Sequence, residues 1–253
     1  MSGGSTISAI ITSTLGERLK HALVPGWLYI RYRVNKERRQ GEAEISLLSY
    51  LIDRSRNAID VGANKGVYTH VISQLARHTY AYEPNPKMFR LLQRNIGKGV
   101  TASQVALSDR SGRADLRIPL GRRGHSNQGA SLSELKVSKN FTPVSVQTAR
   151  LDDLHLTDIG FIKIDVEGFE TSVLEGARNT ILRDRPTILI EIEEKHIKRP
   201  IEDSLREIEA HGYEGFFLSS HGLKALSAFD PVAHHRQPTA GYVFNFIFLP
   251  GQG

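Results

Sequence analysis

Residues 58–66, Ala-Ile-Asp-Val-Gly-Ala-Asn-Lys-Gly, join a short apolar run to a turn that contains two glycines. The run predicts a buried strand, and residues 69–76 after the turn predict a helix. From residue 57 onward, short apolar runs alternate with amphipathic segments, which is typical of a doubly wound, mostly parallel sheet in an α/β fold. The other predicted strands are 79–82, 101–106, 161–165, 187–192, 213–218 and 241–249, and the other helices are 87–96, 170–182 and 204–211.

Two segments depart from this alternation. Residues 1–50 carry leucine and isoleucine at helical spacing and predict an N-terminal helical appendage to a main domain at 51–253. Aromatic and basic residues mix at 27–33, and we expect this stretch to pack against the main domain, although a membrane surface or a glycan would also suit it. Residues 109–150 predict an insertion near the mouth of the ligand site, and its polar loop at 121–129 suits a lid.

The chain is basic and contains no cysteine. Its formal net charge of +6 suits nucleic acid, an acidic glycan or an anionic membrane as partner, but also a solvated basic surface. The basic residues form only short patches, so nucleic acid is disfavoured. Disulfides and thiolate chemistry are excluded. With neither a signal-peptide pattern nor a run of about 20 apolar residues, we expect a cytoplasmic protein without a transmembrane segment, for which peripheral membrane contact stays open.

The glycine turn and the end of the next strand together predict a site for an adenosine-containing cofactor. Gly62 and Gly66 let the backbone approach a ligand, and the helix behind them presents its N-terminal amides. A dinucleotide site would need a further glycine where Asn64 stands, which disfavours NAD. Glu83 ends the second strand, where a carboxylate accepts hydrogen bonds from both ribose hydroxyls. The alternative is that Glu83 serves only the helix that begins after Pro84.

Acidic and basic residues crowd the carboxyl ends of two later strands, where open parallel sheets bind their ligands. Lys163 interrupts an apolar strand, and burying it requires a carboxylate nearby. It could orient an acceptor oxygen or form a purely structural ion pair with Asp165. His196 follows the next strand and is the side chain there that ionises near neutral pH. The candidate catalytic residues are Asp165, Lys163, Glu167, Glu191 and His196.

Taken together, these motifs resemble the FkbM-type methyltransferases over residues 57–194. The resemblance rests on the turn at 60–66 with Tyr68-Thr69, Glu83-Pro84, the segments 105–109 and 151–152, Lys-Ile-Asp-Val-Glu-Gly-Phe-Glu at 163–170, Val-Leu-Glu-Gly-Ala at 173–177, and Arg185-Pro186 with Glu191. It implies a Rossmann-like class I methyltransferase fold with an antiparallel edge strand, S-adenosylmethionine as cofactor, and usually O-methylation, often of sugar hydroxyls. It also implies that the methionine end of the cofactor meets Asp60, Gly62 and Asn64, the ribose meets Glu83, and the adenine meets Ala106 and Leu107.

Several points of the chemistry stay open. A hydroxyl that attacks a methyl sulfonium gains from losing its proton, so Asp165, Glu191 and His196 are candidate bases, in that order. The clustered carboxylates could instead hold Mg²⁺, but no residue is assigned as a metal ligand. We expect a small-molecule or glycan acceptor such as a glycolipid. Methylation of RNA or protein, or cofactor binding without activity, are the alternatives, and the oligomeric state stays unknown.

Overall fold

The computed structural model describes residues 24–40, 43–121, 124–125, 130–132, 141–197 and 199–251. The strands are β1 Asn57–Val61, β2 Thr79–Tyr82, β3 Val100–Ser103, β4 Ala106–Leu107, β5 Gly112–Gly121, β6 Gly124–His125, β7 Phe141–Ala149, β8 Ile159–Ile164, β9 Thr187–Glu191, β10 Tyr213–Ser219, β11 Gly222–Ala225 and β12 Asn245–Pro250. The α-helices are α1 Gly26–Gln40, α2 Leu48–Leu51, α3 Val67–Ile72, α4 Pro86–Asn95, α5 Glu170–Gly176, α6 Arg178–Asp184 and α7 Ile201–Glu209.

The larger of two sheets has eight strands in the order β11-β10-β12-β9-β8-β1-β2-β3. Neighbouring strands from β9 to β3 pair in parallel, which confirms the predicted α/β class. The edge strand β11 is antiparallel to β10, as the family resemblance implies. The strand β12, two positions in from this edge, is also antiparallel to both of its neighbours, β10 and β9.

Helices cover both faces of the large sheet, as a doubly wound fold requires. Through Ile164 and Ile190, one face packs against α5, α6 and α7. The other face packs through Phe161 and Leu189 against α1, α2 and α3. Successive strand residues point to opposite faces, so a strand buried on both sides reads as a continuous apolar run. The carboxyl ends of β1, β2, β8 and β9 lie along one edge of this packed core.

The helix α1 packs against the domain through one side only. Ile30 and Val34 are 0% and 6% exposed, and the helix contacts α3 and α4. This confirms the packing predicted for the aromatic and basic stretch, although its aromatic residues Trp27 and Tyr32 are 59% and 62% exposed. Residues 1–23 lie outside the described part of the chain, so the extent of the appendage and its boundary stay predictions.

The predicted insertion at 109–150 forms most of a second sheet, in the order β4-β7-β5-β6. The strands β5 and β7 pair antiparallel from Gly112 opposite Thr148 to Pro119 opposite Phe141. Most of the predicted lid, residues 122–123 and 126–129, lies outside the described residues. The lid therefore stays a prediction.

The predicted strand at 101–106 is wrong in its extent. The strand β3 ends at Ser103, and Ala106-Leu107 instead form β4, which pairs with Thr148 and Ala149 in the second sheet. Buried residues of either sheet are apolar, so periodicity alone does not reveal that the chain changes sheets.

The helix predicted at 170–182 is two helices, α5 and α6, which meet at Ala177. A Cβ added to Gly176 would lie 1.9 Å from the carbonyl oxygen of Ser108, so the helix approaches the backbone of the chain after β4 closely. The chain turns at this contact. Among the described residues, no helix is both long and apolar enough to cross a membrane.

Candidate active site

Two clefts open at the carboxyl ends of β1, β2 and β8. The Glu83 cleft, of about 700 Å³, is lined by Glu83, Leu107, Ser131 and Glu167, among others. The Asp60 cleft, of about 730 Å³, is lined by Arg33, Glu37, Asp60, Ala63, Lys65, Val67, Tyr68 and Lys163. Gly62, Asn64 and Asp165 line both clefts, so the two clefts adjoin at the glycine turn and the end of β8.

The glycine turn follows β1 and brings the backbone against β8. Gly62 and Gly66 have φ angles of 81° and 87°, in the left-handed region that glycine adopts without strain. A Cβ at Gly62 would lie 1.8 Å from the carbonyl oxygen of Asp165. Asn64 is also left-handed, with φ 49°. The turn therefore depends on glycine at residue 62 for two reasons, the φ angle and the missing side chain.

Glu83 is a buried carboxylate beside this turn. Its Oε2 accepts a hydrogen bond from the backbone N–H of Asn64 at 2.7 Å, and its Oε1 accepts one from the backbone N–H of Asn85 at 2.8 Å. Burial raises the pKa of Glu83 to about 7, and the two amide bonds oppose that rise. The cap of α4 is Asn85, whose Oδ1 accepts from the amides of Lys87 and Met88. Glu83 is therefore not the residue that caps this helix.

Asp60 lies deeper, in β1 itself. It is 0% exposed, and its Oδ2 accepts a hydrogen bond from the Thr69 hydroxyl at 2.5 Å. Its Oδ1 has no hydrogen-bond partner among the described residues. Burial raises the pKa of Asp60, while the charge of Lys163 opposes that rise. Since β1 and β8 place Asp60 opposite Lys163, the two charges face each other across the strand pair.

Lys163 is the charged residue of an otherwise apolar, fully buried strand. Its Nζ lies 3.0 Å from Oδ2 of Asp165 and 4.3 Å from the centre of the Tyr68 ring. The expected carboxylate partner is therefore present. The side chain of Asp165 is 28% exposed, against 4% for Lys163, so Asp165 is the member of the pair that a ligand reaches.

A cluster of Glu167, Glu193 and His196 lies beyond the ends of β8 and β9. Nδ1 of His196 is 3.4 Å from Glu193 Oε1 and 3.9 Å from Glu167 Oε2. One ligand atom from each residue lies within 4.8 Å of the others, so the group could hold a metal ion. Glu193 also accepts hydrogen bonds from Lys195 and, at 2.7 Å, from the Tyr242 hydroxyl. Burial of the Glu193 carboxylate raises its pKa, but these hydrogen bonds together with the nearby positive charges outweigh burial, so the pKa of Glu193 is lowered.

Residues 60–214 match the methyltransferase FkbM domain. The chain belongs to the FkbM methyltransferase family. The carboxyl ends of β1, β2 and β8 carry the motifs by which its sequence resembles the family.

Two relatives describe how far the similarity reaches. The 2-O-methyltransferase NoeI of Sinorhizobium fredii is 29% identical over 145 residues, which are 50% of this chain and 59% of NoeI. The crystal structure of a methyltransferase FkbM from Methylobacillus flagellatus superposes with a TM-score of 0.50 at 18% identity, covering 96% of this chain and 57% of that one. This chain thus spans less than two thirds of either relative, and at 18% identity the crystal structure shows the fold alone.

The predicted residues of this FkbM methyltransferase fall into two groups. Asp60, Gly62, Asn64, Glu83, Ala106, Leu107, Lys163, Asp165 and Glu167 line one or both clefts. Of the remaining three, Gly66 closes the glycine turn, and Glu191 and His196 lie at the end of β9 and just beyond it. A histidine that follows a strand is usually solvated at the surface, but His196 is buried, with only 9% of the residue exposed.

Several residues of the site were not predicted from the sequence. Leu116, Ala130, Ser131 and Leu132, from the second sheet and the chain beside it, line the Glu83 cleft, where Ser131 Oγ donates to the Glu167 carbonyl at 2.6 Å. Arg33 and Glu37 from α1 line the Asp60 cleft, and Glu193 completes the cluster with His196. Of these, only Glu193 had a visible signal, since it follows an apolar strand among other acidic residues.

Proposed function

We propose that this methyltransferase transfers the methyl group of S-adenosylmethionine to a hydroxyl group of a sugar, in a glycan, a glycolipid or a glycosylated small molecule. The observation that carries the proposal is the buried carboxylate of Glu83 beside the glycine turn, in a cleft that extends to Asp165. A carboxylate offers paired acceptors to the paired hydroxyls of a ribose. The name of NoeI, a 2-O-methyltransferase, supports oxygen as the atom methylated.

The residues present suit this cofactor. Glu83 would accept hydrogen bonds from the ribose hydroxyls. Ala106 and Leu107, 5% and 2% exposed, would form an apolar surface beside the adenine. The buried Oδ1 of Asp60 lacks a donor, which the ammonium group of the methionine part would supply. When bound, the cofactor supplies a methyl group already activated by the positive charge on sulfur, so the protein mainly has to align the acceptor with it.

Asp165 is placed to take the proton of the acceptor hydroxyl. Its Oδ2 accepts a hydrogen bond from Lys163, which holds the carboxylate where the two clefts meet. In that role the Asp165 carboxylate would accept the proton as the O–H bond of the acceptor breaks, while the cofactor would supply the methyl group and its sulfur would keep the electrons of the broken S–CH₃ bond. His196, backed by Glu193, is the alternative base.

The test offers the purified chain methyl-labelled S-adenosylmethionine together with free sugars, glycolipids, bulk RNA and protein, and locates the label by mass spectrometry. We expect label on a sugar oxygen. Label on RNA or protein instead would contradict the proposed acceptor, and no label on any of them, together with no binding of the cofactor, would contradict the proposal as a whole. A parallel reaction with chelator, then Mg²⁺, decides whether the cluster of Glu167, Glu193 and His196 needs a metal ion.

A further inference from the structure

The Asp60 cleft is lined by charges of both signs. Lys65 and Lys163 contribute positive charges, and Asp60 and Asp165 contribute negative ones, all from the part of the chain that matches the family. Arg33 and Glu37 come from α1, which precedes that part. A wall with closely spaced charges of both signs suits a ligand group that itself carries both, such as the zwitterion of an amino acid.

Arg33 is held in this wall by the packing of its helix. Ile30 and Val34, its neighbours on the same side of α1, are 0% and 6% exposed. The Nη2 of Arg33 donates to Oε1 of Glu37 at 2.5 Å, and both side chains are about three-quarters buried, at 25% and 23% exposure. The guanidinium is therefore positioned before any ligand arrives, which lowers the entropy lost on binding.

Two buried polar atoms of residues that line this cleft lack partners among the described residues. The Nε of Arg33 is a donor without an acceptor, and Oδ1 of Asp60 is an acceptor without a donor. Buried polar atoms are rarely left unsatisfied in native proteins, so each one calls for an explanation. A carboxylate would satisfy the first and an ammonium group the second.

We propose that Arg33 binds the α-carboxylate of the methionine part of the cofactor, with Asp60 facing its ammonium group across the same cleft. The inference rests on the proposed use of S-adenosylmethionine, and it adds a binding residue from α1, outside the matched domain. Nη2 carries two hydrogens, so it can donate one to Glu37 and offer the other, together with the unpartnered Nε, to a carboxylate. Arginine suits this role because its planar fork matches a carboxylate in two parallel hydrogen bonds.

The competing explanation is that Arg33 and Glu37 form only an intrahelical ion pair that stabilises α1. A purely structural pair would affect every ligand of the domain alike. Binding of a ligand that lacks the amino-acid part therefore separates the two explanations.

The experiment measures dissociation constants by calorimetry for S-adenosylhomocysteine and for 5′-methylthioadenosine, which keeps the adenosine and the sulfur but lacks the amino acid. For Arg33→Ala we expect the constant for S-adenosylhomocysteine to rise about 10- to 150-fold, as for a lost charge-assisted hydrogen bond, while that for 5′-methylthioadenosine stays within about twofold. Arg33→Lys keeps the positive charge but lacks the planar guanidinium, so its dissociation constant for S-adenosylhomocysteine should lie between those of the unaltered chain and Arg33→Ala. Arg31→Ala, which removes an exposed charge from the same helix, is the matched control and should change neither.

Equal weakening of both ligands by Arg33→Ala would overturn the inference in favour of the structural ion pair, and so would unchanged affinity for both. If Arg33→Ala does not fold, as judged by its thermal melt, the same two ligands are measured with Arg33→Lys. Equal weakening of both ligands relative to the unaltered chain, or no weakening of either, would then overturn the inference. Failure of the proposed cofactor looks different, because the unaltered chain would then bind neither compound, and failure of the proposed sugar acceptor would leave the binding of both compounds unchanged.

Discussion

The pKa of Glu83 makes the affinity for the adenosine part of the cofactor depend on pH. The carboxyl is 6% exposed, and burial raises its pKa from the usual 4.5 to about 7. Ribose hydroxyls donate hydrogen bonds, so the ionised carboxylate is the form that binds them. In the free protein that form is about nine-tenths populated at pH 8 and about one-eleventh populated at pH 6. The affinity should therefore fall about tenfold from pH 8 to pH 6, or about 1.4 kcal/mol.

The same shift has an opposite effect on stability in the free protein. Because the folded pKa of Glu83 lies above its usual value, the folded state binds more protons than the unfolded state between pH 4.5 and about 7. The contribution of Glu83 to the free energy of unfolding is therefore largest below this window and decreases as the pH rises through it. Adenosine ligands should reverse the trend, since they favour the ionised form.

The assay is calorimetry with 5′-methylthioadenosine from pH 6 to pH 8. This ligand lacks the α-amino group, and its adenine ring protonates only well below pH 6, so its own titration does not contribute. Repeating the measurement in two buffers with different ionisation enthalpies reports the proton released on binding, which should be largest near pH 6. Glu83→Gln keeps the shape of the side chain and removes its charge, and it should bind with weak, nearly constant affinity. Equal affinities of the unaltered chain at pH 6 and pH 8, or the same pH dependence in Glu83→Gln, would refute the reasoning.

Two substitutions test the rest of the site. Gly62→Ala places a Cβ 1.8 Å from the carbonyl oxygen of Asp165 at a φ of 81°, so its strain alone should lower the free energy of unfolding by about 1–3 kcal/mol or more, measured by denaturant melts. Gly97→Ala, where a Cβ meets nothing within 4 Å, is the control, and equal melts would contradict the expectation. Asp165→Asn should lower turnover about 10²- to 10⁴-fold and retain affinity for S-adenosylhomocysteine, whereas Asp115→Asn, at an exposed residue, should change neither turnover nor affinity. Full turnover with a lowered melting temperature would mean that Asp165 only balances Lys163.

Much of the parallel sheet could be predicted from the sequence because its strands are buried on both faces. Strand β2 has the predicted bounds 79–82, and β1, β8 and β9 differ from prediction by two residues or fewer at each end. Continuous apolar runs of this length have few alternatives once helical segments separate them. The residues at the ends of these strands were predictable for the same reason, since the carboxyl ends of parallel strands meet at one edge.

The second sheet could not be predicted in the same way. Its strands β5 and β7 are joined through a segment that lies partly outside the described residues, and β4 is only the pair Ala106–Leu107. Short strands that change sheets leave no periodicity of their own, because two residues cannot distinguish a period of two from any other. The contribution of Ser131 and Leu132 to the Glu83 cleft follows from this sheet and was equally hidden.

Charged residues in apolar positions link the predicted part of the site to the part that the sequence analysis missed. Lys163 stood out because it interrupts the apolar strand β8. On α1, Ile30, Arg33, Val34 and Glu37 follow the spacing i, i+3, i+4, i+7, which places all four on one side of a helix. The structure buries this side, so Arg33 and Glu37 occupy positions that apolar residues would fill if packing alone decided them. In the sequence, Arg33 does not stand out, because α1 contains other basic residues and a basic helix is usually expected to face solvent. Only the buried Ile30 and Val34 identify the side that packs. A charged pair within that side is thus the helical counterpart of Lys163 in its strand, and both line the Asp60 cleft.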